Sequence, residues 1–165
     1  MALAEVIILW LCLGFLAVIA WRDFQTYRIR NADVLTICCM VAVLLLLRGL
    51  QGSMADTLPD ILAGVLLFTL GFVMWIFKAM GAGDVKLYFP LGVMVGWALL
   101  PVYVVFLLVA SVLMLVALWF GRRFPKEGSG IRARLTQIAQ AKTVPYAVPM
   151  AIGATLTLLP QAFTG

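Results

Sequence analysis

The chemistry open to this chain is set first by its acids: Glu5, Asp23, Asp33, Asp56, Asp60, Asp84 and Glu127. It has no histidine, so Ser–His and Cys–His nucleophile pairs are excluded. Cys12, Cys38 and Cys39 lie inside apolar runs without a C-x-x-C spacing. They read as small packing residues, not as a zinc site or a disulfide framework, and no metal or other cofactor is expected. Two of the acids stand apart. Asp23 and Asp84 each sit where an apolar run meets its first polar residues. An ionisable group at such a place is a functional candidate, because its charged form costs about 2.5–3.5 kcal/mol at a membrane centre and less near the interface. Two carboxyls at one depth can share a site and do acid–base work on water. The competing structural reading has the adjacent cations Arg22 and Lys86 neutralise them. Glu5, Asp56, Asp60 and Glu127 are expected in solvated surface roles.

The elements that must position this pair follow from composition. The sequence is 65% hydrophobic and 12% charged, with a mean hydropathy of +1.12. The apolar residues come in runs long enough to cross a bilayer. Lipid leaves backbone groups unsatisfied, and the runs lack the alternation of barrel strands, so they must be helices. The expected fold is an all-α integral membrane bundle of about six transmembrane helices, near residues 2–21, 34–50, 61–77, 85–100, 102–120 and 144–159. Pro101 is read as the end of the fourth. The whole chain forms one domain. With the N- and C-termini outside, the inner loops hold Arg22, Arg28, Arg30, Lys78, Lys86, Arg122, Arg123, Lys126, Arg132, Arg134 and Lys142, leaving only Arg48 outside. This positive-inside bias sets the orientation and accounts for the net charge of +5. The bilayer, not a nucleic acid, is the expected partner of the basic residues. In the loop over residues 121–142, Ser129 is placed to cap a short interfacial helix with Ile131, Leu135 and Ile138 on one face. Gly92 and Gly96 form a small-x-x-x-small pair, read as ordinary helix packing.

Asp84 lies in Gly81-Ala82-Gly83-Asp84. Two glycines beside a carboxyl suggest an unwound segment, where free main-chain groups can bind an extended peptide. Asn31 is read as fixing the loop after Asp23 by a side-chain-to-backbone bond. Lys86 is placed either to snorkel to phosphate or to act on a nearby carboxylate. Tyr146 is read equally as a hydrogen-bond donor near the site and as an interfacial anchor.

Gly81-Ala82-Gly83-Asp84-Val85-Lys86-Leu87 resembles the G-x-G-D-V-K-L signature of the type IV prepilin peptidases. The stretch from Asp23 to Asn31 resembles the family's other motif, an aspartate followed by basic residues and Ile-Pro-Asn, with Arg30 here in place of the proline. Lys142-Thr143-Val144-Pro145-Tyr146 resembles the segment that opens the family's last helix. The resemblance implies an aspartic endopeptidase of the bacterial inner membrane, with Asp23 and Asp84 catalytic and Gly81, Gly83, Lys86, Asn31 and Tyr146 in support. Its substrate would be a prepilin or pseudopilin whose short basic leader is cut off at the cytoplasmic face. Nothing separates the first helix from Asp23, so the chain is similar to the short, peptidase-only branch serving Flp-type (tight-adherence) pili, without the soluble methyltransferase domain. Three other readings stay open at this point. A proton-coupled transporter also has intramembrane aspartates. A non-catalytic assembly factor would use the basic loop. A presenilin-like protease would carry Tyr-Asp and Pro-Ala-Leu motifs, which are missing here.

Overall fold

The computed structural model describes residues 3–52, 54–123, 130–131, 135–138 and 144–164, and helix is the only regular structure among them. The order is α1 (Leu3–Thr26), α2 (Asn31–Gln51), a 3-10 turn (Met54–Thr57), α3 (Leu58–Ile76), α4 (Ala82–Val95), α5 (Leu100–Arg123) and α6 (Ala147–Thr164). Four of them, α1, α2, α3 and α5, are long and apolar enough to cross a membrane, and α6 is a shorter apolar helix. α4 has 14 residues and reaches only about 21 Å at 1.5 Å per residue, short of a hydrocarbon core of about 30 Å. Large apolar side chains such as Leu108, Leu113 and Trp119 face outward, while Leu9, Leu16, Ile37, Leu91 and Met150 fill the interior. That arrangement is stable in lipid and would not be in water. The protein is a multi-pass membrane protein.

α4 packs most extensively on α3. Their backbones touch at Gly92, where an added Cβ would stand 2.7 Å from the Gly64 Cα and from the Ala63 carbonyl oxygen. Neither helix could come so close with a side chain there. α2 and α6 each contact both α1 and α4. They therefore hold together the two helices that carry Asp23 and Asp84.

Several sequence expectations change. α1 runs five residues further than expected, so Asp23 lies within it. Pro101 does not end α4 but sits in the first turn of α5, where its missing N–H would be unpaired in any case. α4 ends at Gly96, whose φ of 78° is in the left-handed region that glycine adopts without strain. Gly96 is thus a helix stop rather than a helix-packing residue. Its Cβ would also collide with the Asp60 carboxyl.

Asp60 is not a solvated surface acid. It forms an ion pair with Arg48 at 3.0 Å and accepts the Trp97 N–H at 3.2 Å. Arg48 also donates to the Met94 carbonyl at 3.4 Å. This knot joins α2, α3 and the α4–α5 turn. Glu5 is also buried; it lies in the first turn of α1, where unpaired N–H groups favour a carboxylate. The side chain of Asp56, and Glu127, Lys126, Ser129, Arg132, Arg134 and Lys142, lie outside the described residues. Of the expected interfacial helix, residues 135–138 are helical. There Ile138 is fully buried against Met114 and Leu118 of α5, while Ile131 is exposed. The apolar positions therefore do not all face one surface.

Candidate active site

α1 ends just after Asp23, because Tyr27 takes a φ of 54°, a left-handed conformation strained for a bulky residue. Its N–H still reaches back to the Asp23 carbonyl at 2.8 Å. Beyond it the chain turns, and residues 28–31 form a wall. The opposite wall begins at the end of α3. Lys78, also left-handed with a φ of 58°, closes that helix. Its N–H donates to the Trp75 carbonyl at 2.8 Å, and that of Ala79 donates to Met74 at 2.9 Å. This is a Schellman closure with lysine where glycine is usual. Gly81 then runs extended into the first residue of α4, Ala82. Between the walls lies a cavity of about 450 Å³ lined by Asp23, Tyr27, Arg28, Ile29, Arg30, Asn31 and residues 81–84. Both aspartates open into it, although each residue is less than a tenth exposed, and their carboxyls interact electrostatically.

Neither aspartate pairs with a cation among the described residues. Arg22 instead donates to Asp33 at 2.7 Å, and Arg30 holds the same carboxylate through two bonds, at 3.2 and 3.0 Å. The hydrogen bond to Asp33 pushes the Arg30 guanidinium above its already high value. Lys86 donates to the Asn31 side-chain oxygen at 3.0 Å. Neutralisation by Arg22 and Lys86 is therefore not what the structure contains.

Each carboxyl is held at a helix N-terminus instead. Asp23 accepts the Ala147 N–H, the first of α6, at 3.2 Å. Asp84 is the third residue of α4, and its carboxyl folds back on the Gly81 main chain. A Cβ at Gly81 would stand 2.8 Å from the Asp84 Oδ2, so a side chain there would displace the carboxyl. Helix starts offer unpaired N–H groups and positive dipole ends, which stabilise negative charge without a salt bridge. Two carboxyls held in one cavity without counter-ions can divide a base and an acid role between them.

A model of the type IV leader peptidase family matches residues 10–119. The chain belongs to that family. Neither a search of curated proteins nor one of solved structures gave a match. Membership implies a hydrolase that removes leader peptides. The matched stretch holds Asp23, Asn31, Gly81, Gly83, Asp84 and Lys86, and ends before Tyr146.

The supporting residues of this leader peptidase are placed differently from their sequence reading. Only Gly81 is unwound, running extended into the helix; Gly83 and Asp84 lie in the first turn of α4. Free main-chain donors come from the helix start itself. Gly83 allows close approach of the two walls, because its Cβ would stand 3.1 Å from that of Ile29. Asn31 bonds across to Lys86 rather than to its own loop, and so ties α2 to α4. Tyr146 is half-buried against the core just before α6, and the donor to Asp23 is its neighbour Ala147. A main-chain donor has no side-chain signature, so no sequence reading could have selected it. Asp33 was legible in principle: it lies three residues after Arg30, at the spacing of a helical ion pair. Among the described residues no group of three or more Cys, Asp or Glu could hold a metal ion.

Proposed function

We propose that this protein is an aspartic endopeptidase that removes the short basic leader from prepilins or pseudopilins, with Asp23 and Asp84 as its catalytic pair. The observation that carries this reading is two buried carboxyls facing one cavity, both without a cationic partner among the described residues. Such a pair shares a proton, because like charges that close cannot both ionise. The ionised member takes a proton from water as the oxygen adds to the scissile carbonyl. The protonated member hydrogen-bonds the developing oxyanion. Collapse of the tetrahedral intermediate breaks the C–N bond, and the amine leaves with a proton returned by the pair. The two carboxyls act as a unit, so neither role belongs to one residue.

The orientation supports a cut on the cytoplasmic side of the inner membrane. Arg22, Arg28, Arg30, Lys78, Lys86, Arg122 and Arg123 all lie at the helix ends on the Asp23 side of the bundle, with Arg48 at the other. The positive-inside bias favours the pair inside and both termini outside, an orientation with six crossings in which α4 is a short one that its packed neighbours accommodate. A prepilin with a basic leader and an apolar helix presents its cleavage site at that boundary. α1 runs unbroken into Asp23, a feature that supports a peptidase of the Flp type.

Cleavage of a co-expressed prepilin, read as a gel shift, tests the reading with wild type, Asp23→Asn and Asp84→Asn at matched membrane levels. Wild-type cleavage lost in both variants is the expected result. Near-normal cleavage by either variant refutes the pair. A wild type that leaves every candidate prepilin intact refutes the peptidase.

A further inference from the structure

The carboxyls of Asp23 and Asp84 stand on different helices, so their separation depends on what ties the end of α1 to the start of α4. The short link between α1 and α2, residues 27–30, lies along the cavity between them. Two contacts join this region to α4. Ile29 leaves no room for a side chain at Gly83, where a Cβ would stand 3.1 Å from the Ile29 Cβ. Asn31, the first residue of α2, accepts from Lys86 at 3.0 Å. The link is not relaxed. Tyr27 holds a φ of 54°, and a bulky residue keeps such a conformation only where its surroundings impose it.

One buried group grips the chain on both sides of Tyr27. Arg22 and Arg30 both close on Asp33, which is 3% exposed. Arg30 meets both carboxylate oxygens, with its Nε 3.2 Å from Oδ2 and an Nη 3.0 Å from Oδ1. This is the planar fork that arginine forms and lysine cannot. Arg22, the residue before Asp23, reaches Oδ1 at 2.7 Å. The Arg30 carbonyl also accepts the Asp33 N–H at 3.0 Å and the Val34 N–H at 3.2 Å. Main chain and side chain together therefore fix Arg30 to the first turn of α2, and Arg22 fixes α1 to the same carboxylate. Phe24 and Tyr27 also pack on the cluster of Met114, Leu118 and Ile138, but that cluster contains no residue of α4.

We propose that Asp33 is a positioning residue that sets the spacing of the two carboxyls. Through Arg22 it holds the end of α1 that carries Asp23. Through Arg30 it holds the link that abuts the first turn of α4, which carries Asp84. This inference rests on the reading of Asp23 and Asp84 as the catalytic pair.

Steady-state cleavage of a prepilin peptide by the full-length protein in detergent micelles, measured across pH, tests it. A misplacement of about 1 Å can cost a hundredfold in rate, but helix packing and the Asn31–Lys86 bond share the work, so Asp33→Asn should lower kcat about fivefold. The pH profile separates positioning from other roles. Two carboxyls that drift apart repel each other less, so the acid and alkaline limbs should move toward each other. Loss of a charge that acts directly on the pair would move both limbs the same way. A lower kcat with converging limbs supports the proposal. A kcat within about twofold of wild type overturns it, and so do limbs that stay in place or shift together. Complete loss of cleavage by folded protein also overturns it, since Asp33 would then be a reacting group. If Asp33→Asn does not accumulate, Arg22→Gln decides, because it cuts the tie to α1 and leaves Arg30 on Asp33: a lower kcat with converging limbs supports the proposal, and an unchanged profile overturns it. Failure of the pair itself looks different. In that case Asp23→Asn or Asp84→Asn still cuts, or the wild type does not, and the positioning role falls with it.

Discussion

The helix bundle treats its aspartates in two opposite ways, and the division does not follow its two ends. At one end Asp60 has a guanidinium 3.0 Å away and the Trp97 N–H on its other oxygen, and it locks three segments together. At the other end Asp33 is engaged in the same manner, by Arg22 and Arg30. Asp23 and Asp84, close by, are held among the described residues by main-chain groups at helix starts and by no cation. The cations nearest to them in sequence, Arg22 and Lys86, are bound elsewhere. A carboxylate with a guanidinium on it is a structural group that keeps its charge. One held by peptide dipoles can gain and lose a proton as a reaction proceeds, which is what general acid–base chemistry requires. The Asp33 ion pairs thus have a second consequence: they engage two arginines that could otherwise pair with Asp23 or Asp84.

The contrast can be broken most sharply by exchanging roles. Asp23→Asn and Asp84→Asn should each reduce prepilin cleavage by about a thousandfold or more, with folding unchanged. Asp60→Asn should leave cleavage per folded molecule intact but lower stability by about 2 kcal/mol, because Arg48 loses its counter-charge. Cleavage at matched protein levels and thermal unfolding in micelles separate the two outcomes. Gly81→Ala comes next. The added methyl meets the Asp84 carboxyl rather than backbone, so it should move that carboxyl and spare the fold. The expected loss in kcat is about a hundredfold, with an unfolding temperature close to that of the wild type.

A pair sharing one proton also predicts how cleavage varies with pH. At low pH both carboxyls are protonated and no base remains. At high pH both are ionised, so the acid is missing and like charges repel. The rate should therefore fall on both sides of an optimum, and a profile that rises to a plateau without an alkaline limb argues against proton sharing. Asp33→Asn tests the neighbour. It should keep substantial cleavage and lose about 1 kcal/mol of stability, a modest figure because Arg22 and Arg30 are largely solvated. Complete loss of cleavage at normal stability would make Asp33 a third member of the site. The smallest effect is expected from Lys86→Met, which removes an exposed hydrogen bond to Asn31. Cleavage should fall by less than about threefold. A larger loss would give Lys86 a direct part in handling the substrate.

Much of this protein is determined by its sequence alone. Long apolar runs can only be helices in lipid, since the backbone must satisfy itself there, and this held for every described helix. The family was legible for a related reason: Gly81, Gly83 and Asp84 lie within a few residues of one another, so their spacing survives in the linear chain. Asp23 was legible because a carboxyl at the end of an apolar run is costly and needs a cause. Only the tertiary structure decided which charges pair. Arg22 is adjacent to Asp23 in sequence, yet helix geometry sends successive side chains about 100° apart, and Arg22 reaches Asp33 instead. The donor to Asp23, 124 residues away at Ala147, is a main-chain group that any residue but proline supplies. The left-handed turns at Tyr27 and Lys78 carry no glycine to announce them. Sequence determines what each segment is, because lipid and local spacing act on a residue and its near neighbours; which buried charge is left unpaired depends on contacts between segments, and only packing sets those.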